Sequence, residues 1–244
     1  MMYLVSQPGP LSSAQIEAIE LNSAISFPPG YLRFLKRFGA GTYRGWMNVY
    51  TPDNEVLRPF PEYELWEHDA DSPITQEQIG ECIAIGHTAD GDFLAVHPQT
   101  KQLLWLPRHA ERIESMAVQV QEPVNDETYA KSLDAIYRQV YGCGQREAAY
   151  YEPWTETRNH RFLRLLPGTN GLTLQGLSGM FREVFPPDLV VENEYTCLLF
   201  YQELGGYIRF NYAYGQEVAV IYEEDAAQAF VTMEQWLLSQ GCIG

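Results

Sequence analysis

His87, Asp90, Asp92 and His97 are the residues of this sequence best equipped for chemistry, because imidazole and carboxylate donors at short spacing are what a zinc site uses. Both Asp residues flank Gly91, however, where a turn recruits them for its own backbone hydrogen bonds. The two His residues fall at opposite ends of a strand, and nothing in the spacing sets them at ligand distance. No metal is expected. Gly39-Ala40-Gly41 offers a second chemistry, the cradling of a phosphate. A dinucleotide loop needs a strand before its glycines and a helix after them. Here the order is helix, glycines, strand, so no cofactor is expected either. The paired acids Glu62/Glu64 and Asp90/Asp92 carry general acid–base potential but come with no G-x-S-x-G, H-E-x-x-H, P-loop or kinase signature. His68 and His109 have no carboxylate or nucleophile at a recognisable spacing. The residues therefore assign no catalytic role.

A binding role has more support. Asp53, Glu55, Glu62, Glu64, Glu67, Asp69, Asp71, Glu77 and Glu81 follow one another with Arg58 as the only base among them. Phe60, Tyr63 and Trp66 are interleaved with these acids, and Pro59, Pro61 and Pro73 break any long regular element. Two readings stay open. The stretch is a solvated loop whose aromatics tuck into the core, or it is a docking surface in which rigid aromatics supply contact area and charge supplies association rate. On the second reading Tyr63, Glu64, Trp66, Glu67, Asp69 and Asp71 are the contact residues, with Tyr63 and Trp66 as anchors. The formal charge of −16 repels nucleic acid and anionic lipid and would steer a basic protein to the surface. It also serves solubility alone.

The elements that must position these residues have clear signals. Ser12 and Gln15 form a capping box, with Leu11 able to staple against Ile16. Pro28 and Pro29 open a second helix whose Tyr31, Phe34, Leu35 and Phe38 recur at i, i+3, i+4 and i+7, and Gly39 ends it. Strands are expected at Trp46–Tyr50, Ile83–Ile85, Phe93–His97 and Leu103–Leu106. Asn125 or Asp126 caps a long helix through Tyr129, Leu133, Ile136, Tyr137, Val140 and Tyr141, stopped by Gly142.

Phe27–Tyr43, FPPGYLRFLKRFGAGTY, resembles the signature of the SUKH superfamily, the group containing fungal cell-wall assembly regulators and bacterial immunity proteins. Its usual form is an apolar residue–Pro pair, a Tyr-x-x-Phe-Leu helix and a Gly-rich exit; Ala40 stands where many members carry Gly. A strand ending Ile85-Gly86, the Gly91-Asp92 turn and a hairpin follow in the same order, so the resemblance covers Ser12 to Leu106. It implies an α+β module, a twisted and mostly antiparallel sheet flanked by helices and closed by a helix. It further implies a non-enzymatic protein that binds a toxin, often a nuclease, and occludes it. The alternative within the family is an intracellular scaffold of the cell-wall regulator type; an unrecognised hydrolase is a third reading.

The resemblance is confined to the first half of the chain, and the module it implies spans residues 1–145. Gly142–Glu156, with Pro153 inside it, reads as a boundary, and residues 157–244 as a second, smaller α+β unit of unassigned family. An apolar run at Phe162–Leu166 stops at Pro167-Gly168, and Leu177–Phe185 reads as a helix. Cys197–Tyr201, Tyr207–Tyr214 and Val218–Tyr222 read as strands, with Ile208, Phe210, Tyr212 and Tyr214 on one face. Asp225 caps a last helix carrying Phe230, Met233 and Leu237 inward. Phe185-Pro186-Pro187 repeats the letters of Phe27-Pro28-Pro29, so a divergent duplication and an unrelated subdomain both remain open.

With 45% hydrophobic residues the 244-residue chain can bury a core, and no apolar run is long enough to span a bilayer. The N-terminus lacks the basic and apolar regions of a signal peptide, so a cytoplasmic protein is expected. Its four cysteines, without a C-x-x-C pair, are then free thiols.

Overall fold

The structure, a computed structural model, describes residues 2–22, 25–118, 123–145, 147–166 and 171–244. In chain order its elements are β1 (Tyr3–Leu4), α1 (Ser13–Asn22), α2 (Tyr31–Phe38), β2 (Gly41–Tyr43), β3 (Met47–Asp53), β4 (Ile83–Thr88), β5 (Phe93–Val96), β6 (Leu103–Leu106), β7 (Glu114–Ser115) and α3 (Thr128–Tyr141). There follow β8 (Tyr150–Pro153), β9 (Arg158–Leu165), α4 (Leu174–Val184), β10 (Leu189–Glu192), β11 (Thr196–Tyr201), β12 (Gly206–Asn211), β13 (Glu217–Glu223), α5 (Ala227–Ser239) and β14 (Cys242–Ile243). The class is α+β. The chain divides into two compact units, one of Pro8–Arg146 with Tyr151–Trp154, the other of Met1–Gln7, Glu147–Tyr150 and Thr155–Gly244.

In the first unit the capping box forms as the sequence dictates. Ser12 N donates to Gln15 Oε1 at 2.9 Å, and Gln15 N to the Ser12 hydroxyl at 3.3 Å. Along α2 the i, i+3, i+4, i+7 stripe is the buried one: Tyr31, Phe34, Leu35 and Phe38 are all in the core. Phe34 meets Tyr129 of α3 and Tyr151 of β8 edge-on, at 5.6 and 5.0 Å between ring centroids. The two glycines after the helix are demanded by close backbone approach. Gly39 has φ +71° and a Cβ there would collide with the Gly9 carbonyl; a Cβ on Gly41 would lie 2.5 Å from the Glu152 carbonyl.

The strands run β8-β2-β3-β4-β5-β6-β7, with antiparallel pairing throughout. β2 and β8 were not anticipated, and β8 lies inside the stretch expected to be a boundary. Its Tyr151 explains the placement: fully buried, it donates its hydroxyl to the Gly39 carbonyl at 2.8 Å. Trp46 is in a hairpin turn and not in a strand, because Arg44 and Gly45 take positive φ and Trp46 N returns to Tyr43 O. β4 runs through His87 and Thr88, both expected in the turn, since His87 and Thr88 pair with Asn48 and Met47. The cap of α3 also differs. Asn125 receives the Glu127 amide in a turn before the helix, and Asp126 is taken by Arg33 and Arg37.

The second unit is a sheet of order β10-β11-β12-β13-β9-β14, also antiparallel. α4 and α5 cover one face, where Leu163, Phe181, Phe210, Met233 and Leu237 meet. Val5, Tyr150, Val191 and Phe200 form a smaller cluster of the same unit. Residues 1–7 therefore group with this half, where the sequence had placed them in the first domain. β9 starts at Arg158 and buries Leu163 and Leu165 while Phe162 stays half exposed, as alternation along a strand requires; the Pro167-Gly168 stop lies outside the described residues. Tyr214 is beyond β12 and exposed. Asp225 falls in a 3-10 turn, and α5 starts after Ala226 without a side-chain cap. The repeated letters Phe-Pro-Pro occupy unlike places: Phe27–Pro29 precedes a helix, Phe185–Pro187 follows one.

Candidate functional site

Every acidic–aromatic residue singled out by the sequence can be placed. Tyr63, Glu64, Glu67, Asp69 and Asp71 are exposed. Trp66 is not. It retains only 6% of its surface, in a cluster with Leu57, Ile74 and Ile79 of its own segment and Ala84, Ala95, Leu104 and Leu106 of β4, β5 and β6. Its Nε1 donates to the Pro107 carbonyl at 2.7 Å, Phe60 stacks on it, and Phe60 in turn meets Phe93 of β5 edge-on. Trp66 thus cannot anchor a partner: segment 53–81 uses its own aromatics to fasten itself over the sheet. Its charge is also partly compensated, since Arg112 Nη2 lies 2.7 Å from Asp69 Oδ2 and 3.7 Å from Glu67 Oε2. The Asp71 amide, with Arg112, holds the Asp69 carboxyl below the usual carboxylate range.

What the segment leaves open is the β8-β2-β3-β4 part of the sheet. Glu152, Thr42, Asn48, His87 and Phe93 are successive cross-strand partners, so their side chains share one face in one row. Hydrogen bonds lock most of that row. Trp154 Nε1 donates to Thr42 Oγ1 at 3.1 Å, and Thr42 Oγ1 donates to Asn48 Oδ1 at 2.7 Å. The Asn48 amide then donates to His87 Nε2 at 3.0 Å, which places the proton of the neutral ring on Nδ1. Burial holds the His87 pKa below its ordinary value. A second row flanks the first. Tyr50 and Trp154 lie near-parallel, 15° apart with centroids at 6.3 Å, and Tyr50 also touches His87 at 5.3 Å. Trp154 keeps 46% of its surface exposed. The sequence reading missed this face. The alternation of Thr42, Asn48 and Tyr50 with buried Tyr43, Met47 and Val49 is its only signal, and that signal is local to two short strands.

Of the other residues the sequence marked for chemistry, Asp92 and His97 are bound up in structure. Asp92 accepts from the Thr88 hydroxyl and from Arg108 N, tying the turn to the end of β6. His97 is buried and accepts the Thr100 amide on Nδ1, with Glu81 at 3.7 Å from Nε2; burial lowers its pKa despite that carboxylate. Among the described residues no group of three or more His, Cys, Asp and Glu side chains is placed to hold a metal ion. Cys82, Cys197 and Cys242 are buried free thiols and Cys143 an exposed one; burial pushes Cys82 up to about 12 and Cys242 to about 11.

Clefts open in both units among the described residues. In the first, about 420 Å³ opens beside α1, lined by Leu11, Gln15, Ile19, Pro52 and Ile83. In the second, about 560 Å³ is bordered by Gln202, Glu203, Glu223, Glu224 and Asp225. Glu223 gives it no acid or base: Thr155, Thr157 and Arg158 occupy both oxygens. Burial pushes this carboxyl up, but donation by Thr157, Thr155 and Arg158 outweighs it and holds it below the usual range. Neither cleft has a histidine among its described lining residues.

No protein-family model, curated protein or solved structure matches the chain. Among the described residues no helix is long and apolar enough to cross a membrane.

Proposed function

We propose that the chain is a protein-binding module without chemistry of its own, an immunity protein that binds and occludes a cognate basic toxin. The resemblance of Ser12–Leu106 to SUKH proteins supplies the class. One observation carries the reading at the level of the residues: 32 acidic side chains stand against 16 basic ones, alongside a half-open aromatic sheet face whose polar groups bond to each other rather than converging as nucleophile, base and acid. Charge of this sign accelerates encounter with a basic protein, and aromatic area holds it once docked. The alternative is a scaffold of the cell-wall regulator type, which would hold a signalling partner without silencing it.

The test is purification together with the product of the adjacent reading frame, followed by assay of that product's toxicity with and without this chain. Stoichiometric binding with loss of toxicity is expected. Binding with full activity of the partner would favour the scaffold, and turnover of the partner would overturn both.

A further inference from the structure

Resting on the protein-binding reading, the geometry points to the Trp154–Tyr50 pair as the seat for a cationic side chain, an arginine of a basic partner segment docked on the open face of β8-β2-β3-β4. Three features converge there. First, the aromatic faces are held and not free to collapse: Trp154 is pinned through its indole N–H to Thr42, and Tyr50 is wedged between Trp154 and His87. An electron-rich ring fixed at a half-exposed position is what a cation–π contact requires. Second, the neighbouring charge is negative. The chain carries a formal charge of −16, and the Asp53 carboxylate is close enough to push the Tyr50 hydroxyl further up, after burial. Third, the described residues of the row carry no charged base. His87 is the one basic group of the row and is neutral, because it accepts the Asn48 amide. A guanidinium suits this face better than an ammonium. It is planar, less strongly hydrated and stacks on aromatic rings while its edge donates toward carboxylates.

The probe is an acetylated, amidated Gly-Arg-Gly-Arg-Gly peptide, titrated at 0.15 M salt while the indole and backbone N–H resonances of the whole chain are followed. The Trp154 indole signal, identified by its loss in Trp154→Phe, should move together with the amides of Tyr50 and His87. The same peptide with norleucine for arginine should leave them in place. Trp154→Leu should weaken binding about tenfold, the scale of a partly desolvated cation–π contact. Trp154→Phe keeps a ring and should retain most of the affinity, which separates loss of the ring from loss of the Thr42 hydrogen bond. Shifts confined to residues 62–71, or equal shifts with the norleucine peptide, would overturn the assignment. With the toxin in hand the two levels separate. Neutralisation by Trp154→Leu at wild-type potency would remove this site and leave the immunity reading standing. A wild-type chain that shifts Trp154 with the peptide but ignores the toxin would do the reverse.

Discussion

Trp66 and Trp154 exchange the roles their surroundings suggest. Trp66 sits amid carboxylates in an irregular, proline-broken segment, the context of an exposed docking residue, and is buried; Trp154 follows a short strand without any such context and stays open. Burial is decided by what each faces. Segment 53–81 crosses β4, β5 and β6, whose outward Ala84, Ala95, Leu104 and Leu106 are apolar and need a cover. Trp66, Phe60, Ile74 and Ile79 supply it, and the acids between them are what remains outside. The β2 and β3 face presents Thr42 and Asn48 instead, side chains that satisfy one another laterally and call for no apolar cover, with Tyr50 partly buried at the edge of the segment's cluster. Interleaved acids and aromatics therefore mark a strap with a wet side, not by themselves an interface.

The sharpest way to break this comparison is unfolding of the two Trp→Ala variants. Trp66→Ala should cost about 3–5 kcal/mol, as should Phe34→Ala in the α2 core, because both leave a large cavity. Trp154→Ala should cost about 1 kcal/mol or less, as half-exposed sites do. Equal costs in a denaturant melt would mean that the covered and open regions are not different. Next in size, replacing Arg158 with Ala should destabilise the second unit by about 3–5 kcal/mol scaled down by residual solvent contact, since it strands the Glu223 carboxylate between Thr155 and Thr157. Recovery by the double change Arg158→Leu with Glu223→Leu would confirm that the lone charge, and not the packing, is the cause.

Charge reversal of Glu64, Glu67 and Asp69 to Lys should lower the melting midpoint slightly, through loss of the Arg112 pairs and of the Asp71 amide's acceptor, and slow association with a basic partner, an effect that high salt should mimic. Dissociation should hardly change, in contrast to Trp154→Leu, which should speed it. An unchanged association rate would remove the acidic strap from the encounter altogether. The smallest effect concerns the two histidines, His97 beside Glu81 of the strap and His87 on the open face. Both have folded pKa values depressed by burial, so the unfolded chain binds more protons as pH drops below the ordinary histidine value. Their contribution is fully present above about pH 6.5 and is lost as pH falls through the lower folded values. His87→Gln and His97→Gln should each flatten the stability slope in that window, and a slope unaltered by either would show that neither is held neutral.

Local elements were legible in the sequence wherever a short-range rule suffices. The Ser12–Gln15 box, the Tyr31–Phe34–Leu35–Phe38 stripe and the strands at Ile83, Phe93 and Leu103 follow from capping and periodicity within a few residues. The caps at Asp126 and Asp225 failed because a carboxylate that suits an N-terminus can be drawn elsewhere: Arg33 and Arg37, distant in sequence, claim Asp126. β2 and β8 were invisible because Gly-Thr-Tyr and Tyr-Tyr-Glu-Pro lack the apolar run that marks β5 and β6; their identity comes from each other, through the Gly41–Pro153 to Tyr43–Tyr151 pairing. The candidate site shares that origin. Sequence by itself determined the charge, the aromatic content and the helix that seeds the first unit. Only the tertiary structure decided which tryptophan is outside, because exposure is set by the strand register that brings Thr42, Asn48, His87 and Trp154 together and by the strap that stops short of them.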